Sequence, residues 1–182
     1  CGIGTVAVMK LHPAAIAYKT ECCDEYINLI KHLMKRCGVT CKEKNYFALR
    51  RGPYLIAQVL EDAGDITFDA EGMFVNLYSP TLAIMNGIHL HPGENILAAD
   101  LSSYHTDFCL VGSAGRVDDY EFDGKHASFT VCGPDGSHCV LRFKSSNPSE
   151  VCGAESSYDR DSGTLLLTLD GKAAGTKVHI TL

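Results

Sequence analysis

His89-x-His91 sets two imidazoles at a spacing of two, which on an extended strand places both on one face. Neutral imidazole is the commonest protein ligand for zinc and its neighbours in the first transition row. If the chain holds a metal, His89 and His91 are therefore the first residues to consider, with His105 as a third. The competing reading is polar surface decoration, since eight His make one such pair an ordinary coincidence. That reading is preferred, so no metal and no cofactor are expected. The nine Cys (Cys1, Cys22, Cys23, Cys37, Cys41, Cys109, Cys132, Cys139 and Cys152) are odd in number and cannot all pair within one chain. Cys37-x3-Cys41 has the spacing of half a zinc site, but no second Cys or His pair shares its segment. His138 and Cys139 with Cys132 flank a turn and could meet in space. The thiols read as reduced small hydrophobes, which places the protein in the cytoplasm.

Other chemistries find less support. Paired carboxylates can hydrolyse glycosides, and Asp118, Asp119, Glu121 and Asp123 are close in sequence. They lie in an alternating strand and its turn, which is the pattern of a solvated sheet edge. There is no Gly-x-Ser-x-Gly nucleophile elbow and no Gly-x-x-x-x-Gly-Lys or Gly-x-Gly-x-x-Gly phosphate loop. Arg50, Arg51 and Tyr54 bracket the turn Gly52-Pro53, where a sheet end could present them as an interdomain or ligand contact. The alternative is that the two arginines merely solvate an edge. The chain has no Trp, and Tyr46, Phe47, Tyr54, Phe74 and Tyr78 fall in strand patterns that suit core packing better than a sugar platform.

The elements that must position these residues follow from patterning. The chain has 182 residues, 46% hydrophobic and 21% charged, with a net charge of −6. That excludes overall disorder and argues against a nucleic-acid binder, and no apolar run approaches the ~20 residues of a membrane-spanning helix. Residues 3–11 form a nearly continuous apolar run and are predicted as a strand. A helix is predicted between Thr20 as N-cap and Gly38 as the C-terminal stop. From Asn45 onward the pattern is of short strands: 45–51, 54–60, 65–69, 72–78, 82–90, 95–101, 107–113, 116–122, 126–132, 138–144, 164–169 and 176–181. Turn residues recur between them, as in a β-sandwich or barrel. The segments 126–132 and 138–144, joined through Gly133-Pro134-Asp135-Gly136, read as a hairpin. The prediction is a mainly β protein: an antiparallel β-sandwich over 45–182, preceded over 1–44 by a short β-α unit with one long helix.

The stretch Asn45-Tyr46 through Arg50-Arg51-Gly52-Pro53-Tyr54 resembles the C-terminal region of large bacterial glycoside-hydrolase-like proteins of the family-42 β-galactosidase type. The likeness continues through Gly72-Met73-Phe74-Val75-Asn76-Leu77-Tyr78-Ser79-Pro80 and His91-Pro92-Gly93-Glu94. Leu11-His12-Pro13-Ala14-Ala15 and the helix after it resemble the last β-α unit of the amidotransferase-like domain in such proteins. Ser162-Gly163-Thr164-Leu165-Leu166-Leu167-Thr168-Leu169 and Val178-His179-Ile180-Thr181-Leu182 are similar to the end of a glycosidase C-terminal sandwich. The resemblance implies that the chain starts part-way through a longer polypeptide. It further implies that the catalytic carboxylates lie in a barrel outside this chain, so no catalytic residue is assigned here. The expectation is a non-catalytic accessory module in carbohydrate metabolism, partnered by the preceding catalytic domain of the same polypeptide. The alternatives are a lectin-like, carbohydrate-binding module and a small metal-dependent enzyme using the His cluster. Further copies of itself are another expected partner; nucleic acid and membrane are not.

Overall fold

The computed structural model describes residues 6–10, 12, 14, 16, 18, 20–40 and 44–182. The chain divides into two compact units, Cys1–Lys44 and Asn45–Leu182. In the first unit, helix α1 spans Thr20–Arg36 with Glu21 in its first turn and Lys35 and Arg36 in its last, where each charge complements the helix dipole. Gly38 ends the helix at φ +74°. Its N–H donates to the Lys35 carbonyl and that of Val39 to the Met34 carbonyl, the paired bonds of a glycine C-cap. The strand predicted over 3–11 lies partly outside the described residues. Its described part, 6–10, is not a strand, and Val6 and Val8 stand exposed. An apolar run becomes a strand only where a neighbour takes its backbone groups, and none does so among the described residues.

The second unit is built from thirteen strands in three antiparallel sheets, with Leu101–Ser103 as a single 3-10 turn. Strands β1 (Tyr46–Arg51), β2 (Tyr54–Val59), β3 (Phe68–Asn76), β4 (Ile84–Leu90) and β5 (Asn95–Asp100) form a curled sheet in the order β1-β2-β5-β3-β4. Then come β6 (Phe108–Ser113), β7 (Arg116–Phe122), β8 (His126–Cys132) and β9 (His138–Ser145). The last are β10 (Glu150–Cys152), β11 (Glu155–Asp159), β12 (Thr164–Asp170) and β13 (Thr176–Thr181). A central sheet runs β11-β12-β9-β6 and an outer sheet β10-β13-β8-β7.

The predicted sandwich is formed by the central and outer sheets. Between them Phe108, Leu141, Phe143, Leu165 and Leu167 meet Ala127, Phe129, Val131, Val178 and Ile180. The ring of Phe143 lies 4.7 Å from that of Phe108 and 5.2 Å from that of Phe129. The curled sheet adds a layer that the sequence did not reveal. One of its faces wraps a core of its own, with Leu55, Val59, Phe74, Ile88 and Ile96, and the contact of Tyr46 with Phe68 shows how far it curls. Its other face, through Val75, Leu82, Ala99 and Leu101, meets Val111 and Val140 of the central sheet.

The predicted β8–β9 hairpin is not one. β8 pairs with β7 and β13, whereas β9 pairs with β6 and β12. The chain crosses from the outer to the central sheet at Gly133–Gly136, so the two apolar rows face each other across the core instead of lying side by side. The predicted strands 65–69 and 72–78 are one strand, β3, with an irregularity between Ala70 and Met73. β10 and β11 were not predicted, because Glu150–Cys152 and Glu155–Asp159 carry no alternating apolar row. Phe143 is fully buried in the ring stack. Phe143→Ala should therefore cost about 3–5 kcal/mol, read as a shift of the urea midpoint without loss of cooperativity.

Candidate functional site

The β3–β4 hairpin holds the densest set of chemically capable side chains. Its register sets Asp69 opposite His89 and Phe68 opposite Leu90. Period two then sends Leu90 into the core and leaves Asp69, His89 and His91 outside. Midway along, the ladder shifts between Ala70 and Met73, with Gly72 at φ +129° and Gly87 at φ +85°. A β-bulge bends its strand, and only glycine takes these dihedrals without strain. The bend opens a shallow cleft of about 700 Å³ lined by Asp69, Glu71, Asn86 and His89 among others.

At the end of this cleft His89 Nδ1 lies 2.5 Å from Asp69 Oδ1. The second Asp69 oxygen accepts the Thr67 hydroxyl at 3.3 Å. The hydrogen bond from His89 is the main reason that the Asp69 carboxyl is held below the ordinary carboxylate range. With its Nδ1 proton committed to the carboxylate, His89 turns its Nε2 lone pair to solvent, as a base or a ligand. The His91 ring stands perpendicular to that of His89, with centroids 4.5 Å apart. Its backbone N–H donates to the Glu94 carboxylate at 2.8 Å. His105 lies on the loop before β6 and does not line the cleft. Among the described residues, no three or more His, Cys, Asp or Glu side chains are arranged to hold an ion by themselves.

The second candidate is the sheet end at Gly52-Pro53. Arg50 pairs with Leu55 and shares its face, whereas Arg51 pairs with Tyr54 on the opposite face. The two arginines are thus separated. Arg50 donates to Asp100 Oδ2 at 2.6 Å and its guanidinium sits 5.8 Å from the Phe74 ring centre. It closes the end of the curled sheet's core. Arg51 and Tyr54 are exposed on the outer face. The half-buried Tyr104 has its hydroxyl pKa pushed up to about 12, chiefly by burial and secondarily by Tyr54.

The structure also adds residues that the sequence did not single out. Asp100 caps the 3-10 turn, accepting the Ser102 N–H at 3.0 Å and the Ser102 hydroxyl at 2.6 Å. Asp69 and Asp100 carry no local motif; each is defined by a partner twenty or fifty residues away in sequence, which only the strand register supplies. Among the described cysteines, Cys22, Cys23, Cys37, Cys109, Cys132, Cys139 and Cys152 are free thiols. Cys1 and Cys41 lie outside the described residues. Cys132 faces Asp118, not His138. Asp118, Asp119 and Glu121 lie on β7, an edge strand, where Asp118 pairs with Arg116 at 2.8 Å.

No family model, curated protein or solved structure matches this chain. The chemistry of the two sites therefore has to be read from geometry alone.

Asp100 gives a pH test of the sheet end. Burial opposes its ionisation, but the hydrogen bonds from the Ser102 hydroxyl, Arg50 and the Ser102 N–H outweigh it and hold the carboxyl below its ordinary pKa. The unfolded chain then takes up the proton more readily, so stability from Asp100 is present above the unfolded carboxylate pKa. It is lost as pH falls through the folded value. Asp100→Ala should lower stability at pH 7 by about 1–3 kcal/mol and by less in strong acid. Urea denaturation at both pH values checks this, and an equal loss at each would contradict it.

Proposed function

We propose that residues 45–182 are a non-catalytic accessory module of a larger glycoside-hydrolase-like protein, packed against the preceding catalytic domain of the same polypeptide. The supporting observation is a stripe on the outer face of the β1–β2 ribbon. Phe47, Leu49, Tyr54 and Ile56 are 54%, 46%, 43% and 39% exposed there. Leu49 and Ile56 are direct cross-strand partners, as are Arg51 and Tyr54. Farther along the same sheet, Val75 and Ala99 of this face are covered by the central sheet. The face is thus half covered and half open. A contiguous apolar patch rimmed by Arg and Tyr is the usual composition of a protein interface.

The test is the introduction of charge into the stripe in the product of the full reading frame. Leu49→Lys with Ile56→Glu, opposite charges on a cross-strand pair, should leave the stability of residues 45–182 within about 0.5 kcal/mol, as surface changes do. In the longer polypeptide the same pair should separate the melting of the module from that of its neighbour. A single unchanged melting transition would sink the reading.

A second reading, carbohydrate binding, is supported by the cleft on the β3–β4 hairpin, whose lining includes Asp69, Glu71 and Asn86. Such groups suit sugar hydroxyls. Calorimetry with a panel of oligosaccharides should give heat that Asn86→Ala reduces at least tenfold; heat that survives the substitution would place the sugar elsewhere.

A further inference from the structure

We propose that His89 and His91 chelate a divalent transition-metal ion of the zinc, cobalt or nickel type at the mouth of the β3–β4 cleft, with Asp69 as the residue that orients His89. The inference is independent of the accessory-module reading.

Three observations converge. Residues two apart on a strand project from the same side with Cα atoms about 6.6 Å apart, and here the two rings lean together to a centroid separation of 4.5 Å. The rings are in direct edge-to-face contact, so chelation requires the His91 ring to turn out of that contact until a nitrogen of each ring reaches a shared ion, while His89 stays on Asp69. Next, the Asp69 carboxylate already holds His89 Nδ1, which leaves Nε2 for the metal. A carboxylate behind a ligating imidazole fixes the tautomer and raises its basicity, and this arrangement recurs at metal-binding histidines. Finally, the site is accessible: the His89 side chain is 53% exposed and that of its partner Asp69 65%, and His91 is exposed as well, so an ion can enter without opening the fold. Two imidazoles leave further coordination positions to water or to a small oxygen ligand in the cleft, where Glu71 adds negative charge.

The ligand set also selects the ion. Nitrogen donors favour zinc, nickel, cobalt and copper over calcium and magnesium, which prefer oxygen cages. A hydrolytic dyad is the weaker reading of the same residues. The Thr67 hydroxyl beside the pair's carboxylate bonds to Asp69 and not to the imidazole.

The experiment is a titration of the full 182-residue chain, thiols kept reduced, with Co2+ and separately with Mg2+. The expected result is one Co2+ per chain, with a visible spectrum of nitrogen and oxygen ligation and no thiolate-to-cobalt charge-transfer band. No heat is expected with Mg2+. His89→Gln and His91→Gln should each remove the Co2+ signal. Asp69→Asn should weaken binding about 10- to 100-fold while leaving the metal-free melting midpoint unchanged, and Asp69→Glu should recover part of it. Absence of Co2+ binding, a thiolate spectrum, or binding that survives either His substitution would overturn the proposal.

Discussion

Strand β9 has to bury both of its faces, and the arrangement of the rest of the second unit follows from that. Cys139, Leu141 and Phe143 point into the sandwich core, while Val140 and Arg142 point at the curled sheet. The odd member is Arg142, a guanidinium only 6% exposed. Burial pushes its pKa down, opposed by the charge of Asp159. The site offsets part of that cost with neutral acceptors: Nε donates to the Leu82 carbonyl and a terminal nitrogen to the Thr164 hydroxyl, both at 2.8 Å. Leu82 adopts φ +47°, a conformation that costs a bulky residue about 1–3 kcal/mol. The strain persists because Leu82 fills the space over Gly112 and its carbonyl receives Arg142. A Cβ on Gly112 would come within 3.3 Å of a Leu82 methyl and 2.8 Å of a Leu77 methyl. Interlayer packing, a buried charge and a strained backbone thus depend on one another.

A strand covered on both faces also dictates how the chain travels. Neighbours in sequence are sent to different sheets, β6 to the central and β7 to the outer, and again at β8 and β9. The rings of Phe108, Phe143 and Phe129 span this divide. The stack needs strands from both sheets, which a hairpin cannot provide.

This explains what could be read from the residues and what could not. The limits of β7, β8 and β13 coincide with the predicted segments 116–122, 126–132 and 176–181. There an alternating row and flanking turn residues mark each strand by local chemistry. Pairing is not local. Gly133-Pro134-Asp135-Gly136 looks like a hairpin turn, but a turn of this length also fits an arch between sheets, and only the demand for a two-sided core chooses. The His pair was legible because its spacing is two. Its carboxylate partner was not, since Asp69 meets His89 only through the β3–β4 ladder. Arg50 and Arg51 were legible as a pair beside a turn, yet adjacent residues on a strand must face opposite ways, so the pair could never act as one site.

The two candidate sites are linked through the same core. Gly72 is required at φ +129° for the bend that makes the cleft, and a side chain there would press within 3.4 Å of the Phe74 ring. Phe74 is fully buried beneath Arg50, whose charge is held by Asp100. The bend therefore does two jobs in one step: it folds the β3–β4 hairpin over the curled sheet's core, and it opens the cleft beside Asp69 and His89, which strand alternation already turns outward. A straight hairpin would leave Phe74 uncovered and flatten the cleft together. The geometry around the imidazoles is in this sense a consequence of how the curled sheet closes, held in place by packing on the opposite side of the same strands.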